Sequence, residues 1–291
     1  MKVAPKTRAA VLSEALPHLQ RFAGHVVVVK YGGNALAESS DDAMDVFARD
    51  VALLHAVGMK PVVVHGGGPQ ITAMMDRLGK QPAFHNGLRV TDAETIEIVR
   101  MVLLGTVNPM LVSMINKSGA NAAGVSGQDM GLFQCVQRDP ALGFVGDITA
   151  VNPAPVQGLL DDGVVPVVAT VGTDAFGQTY NINADTAASA LAVALNATKI
   201  LFLTDVAGVL RDASDPTTLI PTLTAKQASR LKEDGVISGG MIPKVESCLH
   251  AVRGGVAAAH ILDGRVAHVT LLELLTDAGV GTMFVGDEEP K

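Results

Sequence analysis

Tryptophan is absent from this 291-residue chain, and only two tyrosines occur. Without a row of aromatic faces there is no platform for stacking bases. Lysine and arginine total 22 against 29 acidic residues, a net charge of −7, and no basic block is present. A phosphate backbone would find no electrostatic footprint here, so nucleic acid is not the expected partner. Cysteine is scarce too. Cys135 and Cys248 stand far apart, without CxxC or Cys/His spacing. That argues against a zinc site and fits a reduced compartment; both read as small buried apolar residues. No run reaches the roughly 18 uninterrupted apolar residues of a bilayer span. The start MKVAPKTRAA leads into no apolar core with a cleavage site. The expected location is the cytoplasm, with no membrane partner.

The common chemical fingerprints are also missing. There is no GxxxxGK[ST], and no GxGxxG with a later acid. HGGG at 65–68 is not followed by a GxSxG elbow, which sets an esterase reading aside. No His/Asp/Glu set has metal-ligand spacing, so no protein metal site is expected.

What remains is an apolar chain, 48% hydrophobic and 18% charged. That supports a sizeable core in one large domain or two modest lobes. The stretch VVVVKYGGNAL, residues 26–36, sets the pattern. An unbroken valine run predicts a strand buried on both faces, as in a parallel sheet. Lys30 ends that strand, and Gly32 and Gly33 leave bare backbone beside it. The motif recurs as a second strand running into Gly66–Gly67–Gly68, with Pro69 opening a helix. Strands and helices then alternate to the end, which predicts an α/β fold built on a parallel sheet.

Before the first strand, residues 7–22 carry apolar positions at spacings of three and four. Pro17 interrupts them and predicts a kink or two short helices. This segment is either a terminal helix packed on its own subunit or an arm reaching another. AETIEIVRMVLLG and VNPMLVSMINKSG read as two successive helices. Three regions are assigned: an N-terminal kinked arm over 1–24, an N-terminal lobe over 25–183 and a C-terminal lobe over 184–291.

Three glycine turns, Gly32–Gly33, Gly66–Gly68 and Gly239–Gly240, can form anion nests near helix starts. Lys30 and Lys244 each stand beside one. Phosphoryl transfer asks for positive charge on the transferred group and its flanking oxygens, with little covalent help. Arg89 in GLRVTD can grip a carboxylate with its fork or form a surface ion pair. In YNINAD, Asp185 either caps the following helix or pairs with the lysines. Asp205, at the end of a buried strand, contacts a nucleotide or closes a turn.

Taken in order over nearly the whole chain, KYGGNA, HGGGPQI, GLRVTD, NINADTAA, LTDVAGV and SGGMIPKVE resemble the amino acid kinase family. GLRVTD and NINAD favour the branch acting on N-acetyl-L-glutamate over those acting on carbamate, aspartate or uridylate. The resemblance implies a three-layer αβα sandwich around a mostly parallel open sheet. It implies transfer of the γ-phosphoryl of ATP to the side-chain carboxylate of N-acetyl-L-glutamate, in arginine biosynthesis. Lys30 and Lys244 would be the transition-state cations, oriented by Asp185. Gly32 and Gly33 would line the phosphate path. Gly67 and Gly68 would offer backbone N–H groups, Arg89 would hold the α-carboxylate, and Asn181 would bind the acid. Asp205, Gly239 and Gly240 would lie on the ATP side, with Mg²⁺ held mainly by the nucleotide phosphates. The carboxylate attacks directly, so no general base is required.

Family members inhibited by arginine resemble this chain in a helix before the first strand that joins dimers into a hexameric ring, a trimer of dimers. LLELLTDAGVGT resembles the segment that builds their arginine site, with Glu273 and Gly279 as candidate contacts. The alternatives are a carboxylate or carbamate kinase of the same fold and a non-catalytic arginine-sensing module.

Overall fold

A computed structural model describes residues 4–33, 41–85, 87–277 and 279–287. Residues 34–36 of the opening stretch therefore lie outside the described residues. In chain order the first half runs α1 (Pro5–Phe22), β1 (Val26–Tyr31), α2 (Asp41–Ala56), β2 (Lys60–His65), α3 (Gly68–Arg77), β3 (Phe84–His85), β4 (Leu88–Arg89), α4 (Ala93–Val102), α5 (Asn108–Lys117), β5 (Ala122–Ser126), β6 (Phe133–Gln137), β7 (Gly146–Val151) and α6 (Ala154–Asp161). The second half runs β8 (Val165–Ala169), β9 (Val171–Thr173), β10 (Thr179–Asn181), α7 (Ala184–Ala194), β11 (Lys199–Thr204), β12 (Thr222–Thr224), α8 (Ala225–Glu233), α9 (Met241–Arg253), β13 (Ala258–Asp263), α10 (Val269–Leu275) and β14 (Thr282–Val285).

Eight strands form the main sheet in the order β12-β14-β13-β11-β1-β2-β8-β5. All neighbours are parallel except β13 and β14. Helices cover both faces, as the valine runs require. Side chains alternate along a strand, so Val28 joins one apolar cluster while Val27, Val29 and Tyr31 join the other. Neither face of β1 is left for water. Each such fully buried valine contributes about 1.5–3 kcal/mol. A four-stranded sheet, β10-β9-β6-β7, and the β3–β4 hairpin complete the described sheets.

The chain fills one flank of β1 with β2, β8 and β5 before it crosses to β11, β13, β14 and β12 on the other. The crevice outside the carboxyl ends of β1 and β11 is therefore a switch point in strand order, the place where open α/β sheets bind ligands.

Two readings of helices change. Of the alternatives for the N-terminal segment, a kink or two short helices, the second is excluded, because one helix runs through Pro17. The carbonyl that Pro17 deprives of a donor is that of Ser13, and both residues are exposed, so water can take the missing place. The two helices expected on either side of Gly105 are one rod. Between Ala93 and Lys117 it widens into a π-turn at Leu103–Val107, where Asn108 N–H reaches the Leu103 carbonyl five residues back. The wider turn makes room for Pro109, which has no N–H to give. This 25-residue rod has the length and apolarity of a membrane span. Ile96, Ile98, Val99, Val102, Leu103, Val107, Leu111 and Ile115 nonetheless pack within the second cluster, as a core helix does.

Candidate active site

Strand parity aims Lys30. It shares a face with Val28, and that face is covered by α7. The strand ends one residue later, so the side chain emerges at the rim of the crevice. There its Nζ lies 2.6 Å from Oδ1 of Asp185. Both residues are buried.

Asp185 is available because another residue caps its helix. Asn183 is the N-cap of α7, and its Oδ1 accepts from the backbone N–H of Asp185 (2.9 Å) and Thr186 (3.1 Å). The carboxylate is left to face Lys30 on one side and Lys244 Nζ, 3.6 Å from Oδ2, on the other. Burial alone would raise the Asp185 pKa, but the charges of Lys30 and Lys244 outweigh it and hold the carboxyl below its ordinary range. Lys244 sits in the first turn of α9, the end of a helix where the macrodipole disfavours a cation. Asp185 offsets that. A bond from Ser189 Oγ to the Ser247 carbonyl, 3.0 Å, ties α7 to α9 and keeps the two lysines in one frame.

The first two glycine turns meet beside this triad. An added Cβ on Gly33 would come within 2.9 Å of Gly68 N and 3.0 Å of Pro69, and one on Gly67 within 2.7 Å of the Leu103 side chain. Close approach of bare backbone is what these positions require. Arg89 closes the far wall. Its Nη2 donates to the Gly68 carbonyl (2.9 Å) and to Thr72 Oγ1 (2.6 Å), and the guanidinium lies 4.8 Å from the Phe84 ring centroid. Burial lowers the Arg89 pKa, yet a guanidinium keeps its charge at any physiological pH. Asn181 Nδ2 reaches Thr91 Oγ1 at 3.4 Å across the floor.

Lys30, Gly32, Gly33, Gly67, Gly68, Arg89, Asn181, Asp205 and Lys244 thus line one cleft of about 260 Å³. Asp185, Gly239 and Gly240 line the adjoining cavity, which shares Lys244 with the first. No histidine, cysteine or serine lines the cleft among the described residues. Beside the carboxylate of Asp205 and the amide of Asn181 it holds three cations and bare backbone, which suit it to stabilising a phosphoryl group in flight.

Glu273 and Gly279 lie elsewhere and line neither cavity. Glu273 Oε1 is 2.8 Å from Nδ1 of buried His260, and its Oε2 accepts from Val280 N–H at 3.2 Å. Gly279 is exposed beside it.

Residues 25–263 match the amino acid kinase family. The chain belongs to the amino acid kinase family. Within that family it is 51% identical over 280 residues to the acetylglutamate kinase of Synechococcus sp., covering 96% of this chain and 92% of that one. Its fold is similar to N-acetylglutamate synthase from Neisseria gonorrhoeae complexed with coenzyme A and N-acetyl-glutamate, with a TM-score of 0.83 and 26% identity over 97% of this chain and 64% of the synthase. The same synthase complexed with coenzyme A and L-arginine aligns with a TM-score of 0.78 and 26% identity over 95% of this chain and 65% of that one.

The sequence of this amino acid kinase does not single out three residues that shape the cleft. Thr72 supports Arg89. His65 and Asn108 meet beneath the second glycine turn, with Asn108 Nδ2 and His65 Nε2 3.0 Å apart. HGGG marks the turn but gives no role to its histidine, and Asn108 lies in a helix with no local signal.

Proposed function

We propose that this protein uses ATP to phosphorylate the side-chain carboxylate of N-acetyl-L-glutamate, giving N-acetyl-L-glutamyl 5-phosphate in arginine biosynthesis. The observation that carries the reading is the pairing of two lysines with one buried carboxylate at the mouth of two glycine turns. One negative charge against two positive ones leaves an excess that a transferring phosphoryl group can take up.

In this reading Arg89 binds the α-carboxylate of the acid through the N–H groups that Nη2 does not give to Gly68 and Thr72, and Asn181 binds the same molecule. The γ-carboxylate is then presented to the γ-phosphoryl between Lys30 and Lys244. Gly32 and Gly33 let the phosphate chain run close to the backbone. Gly67 and Gly68 offer N–H groups to the acid's side of the transfer. Asp205, Gly239 and Gly240 face the nucleotide. Both oxygens of Asp185 already face lysines, so the phosphates of ATP would be the principal ligands of Mg²⁺. An ionised carboxylate is already a nucleophile, so the transfer needs no general base in this reading.

The regulatory part follows the same logic. Val11 and Leu16 of α1 are exposed apolar positions, suited to packing on a second copy in a hexameric trimer of dimers. Glu273 and Gly279 would contact arginine as a feedback inhibitor. The protein works in the cytoplasm.

The test is product trapping. Incubation with ATP, Mg²⁺ and N-acetyl-L-glutamate in the presence of hydroxylamine should yield the acyl hydroxamate and stoichiometric ADP. L-glutamate and carbamate should yield little. A hydroxamate signal larger with L-glutamate than with its N-acetyl form would defeat the reading.

A further inference from the structure

Behind the second glycine turn lies a polar pair sealed from water. His65, the last residue of β2, is fully buried, and Asn108, at the start of α5, is buried as well. Asn108 Nδ2 lies 3.0 Å from His65 Nε2 and 2.8 Å from the Val167 carbonyl. An amide nitrogen has two hydrogens and accepts nothing, and a carbonyl donates nothing. Asn108 therefore donates to both partners, and His65 Nε2 must accept. The opposite amide orientation would set Oδ1 against the Val167 carbonyl, two acceptors face to face at 2.8 Å, so the amide nitrogen belongs on this side.

The ring proton is thereby assigned to Nδ1, which is 3.0 Å from the Gly66 carbonyl and donates to it. Burial pushes the His65 pKa down to about 4, so the ring is neutral and keeps one bare nitrogen at neutral pH. A trans peptide is planar, with its C=O and N–H pointing opposite ways. Holding the Gly66 carbonyl back toward His65 turns the N–H of Gly67 forward. That nitrogen lies 3.5 Å from the place a Cβ on Gly33 would take, in the seam between the two glycine turns.

We propose that His65 is a positioning residue for phosphoryl transfer, holding the Gly66 carbonyl so that the Gly67 N–H faces the transferring group, with Asn108 fixing the tautomer. The inference rests on the kinase reading above. Donors placed in advance stabilise charge at no reorganisation cost, and small misplacement of such a group is expensive in rate.

Two substitutions separate the halves of the pair. His65→Asn places an amide N–H near the Nδ1 position and keeps the bond to Gly66, but loses the acceptor for Asn108. His65→Gln places an amide oxygen near Nε2 and keeps the Asn108 bond, but loses the donor to Gly66. Each variant gives up one buried bond, so a purely structural role predicts similar losses in both. The positioning role predicts that His65→Gln lowers kcat about tenfold or more, with KM for N-acetyl-L-glutamate within about threefold, while His65→Asn recovers most of the rate. Equal kcat losses in the two, or an unchanged kcat in folded His65→Gln, would overturn the proposal.

Two further readouts need no turnover, so they stand even if wild-type protein fails to phosphorylate N-acetyl-L-glutamate and the kinase reading falls. In ¹⁵N-glycine-labelled protein the Gly67 amide signal should move in His65→Gln and stay near its place in His65→Asn; equal movement in both, or none in His65→Gln, counts against the proposal. In wild-type protein the His65 ring nitrogens should show a protonated Nδ1 and a bare Nε2. The opposite tautomer would overturn the assignment whether or not the variants fold.

Discussion

Asp185 and Glu273 are two largely enclosed acids on opposite sides of the same protein, and their surroundings differ in one respect that matters. Asp185 stands between two lysines, with Lys30 at 2.6 Å and Lys244 at 3.6 Å. Glu273 has His260 at 2.8 Å, and burial lowers the pKa of that histidine, against the pull of Glu273. The other cation it senses is Lys199, itself lowered by burial and lying 5.1 Å over the Phe22 ring. At Asp185 positive charge exceeds negative, which suits a polyanion in transfer. Near Glu273 the positive charge comes from Lys199 and from Arg21, which lies over the same Phe22 ring, and neither makes a direct ion pair with the acid. Under the proposed function the first cluster serves the transferring phosphoryl group and the second is the candidate regulatory contact.

Removing the acid should break the first cluster most severely. Asp185→Asn leaves two cations facing each other with no counter-charge. Losing one partner of a buried pair costs about 3–5 kcal/mol, so urea unfolding should show a large fall in stability, and turnover should drop with it. The sign of the pH effect follows from the same group. Its folded pKa is below the unfolded one, so its contribution is present above the ordinary carboxylate value and disappears as pH falls through the folded value. Wild-type stability should therefore fall on acidification below about pH 4, and the Asn variant should lack that component.

Arg89→Lys tests the cleft's outer wall. Nη2 alone makes the bonds to the Gly68 carbonyl and Thr72, which fix the plane of the guanidinium and leave its other N–H groups for a carboxylate; a point charge offers no such planar fork. KM for N-acetyl-L-glutamate should rise about tenfold with a smaller change in kcat. A fall in kcat alone would place Arg89 at the transferring group instead.

Glu273→Ala should have the smallest effect on basal turnover and sharpens the comparison for that reason. Without arginine, kcat should stay within about twofold, since Glu273 lines neither cavity at the crevice. Inhibition by millimolar arginine should be lost. Unchanged inhibition would remove Glu273 from the regulatory site.

Much of this was legible in the residues because the relevant physics is local. A strand buried on both faces must be apolar throughout, so valine runs marked β1, β2 and β8. Lys30 and the adjoining glycines were visible because a charge and bare backbone at the end of such a run have few structural uses. The residues alone leave two roles open to Asp185, because a carboxylate before a helix serves equally well as a cap. Only the position of Asn183, which takes the capping bonds, decides between them. The break expected at Gly105 failed for a tertiary reason. The side chain of Leu103 packs against Gly67, and a widened turn holds the rod together there. His65 and Asn108 are 43 residues apart, and no periodicity connects an acceptor on a strand end with a donor on a helix.

The central claim is that excess positive charge around Asp185 drives phosphoryl transfer. Its most direct test is the steady-state kcat of Lys30→Ala and Lys244→Ala with saturating ATP and N-acetyl-L-glutamate, each variant checked for a native circular dichroism spectrum. Losing one such preorganised charge should lower kcat by about 10²–10³-fold. Near-normal turnover in both folded variants would contradict the account.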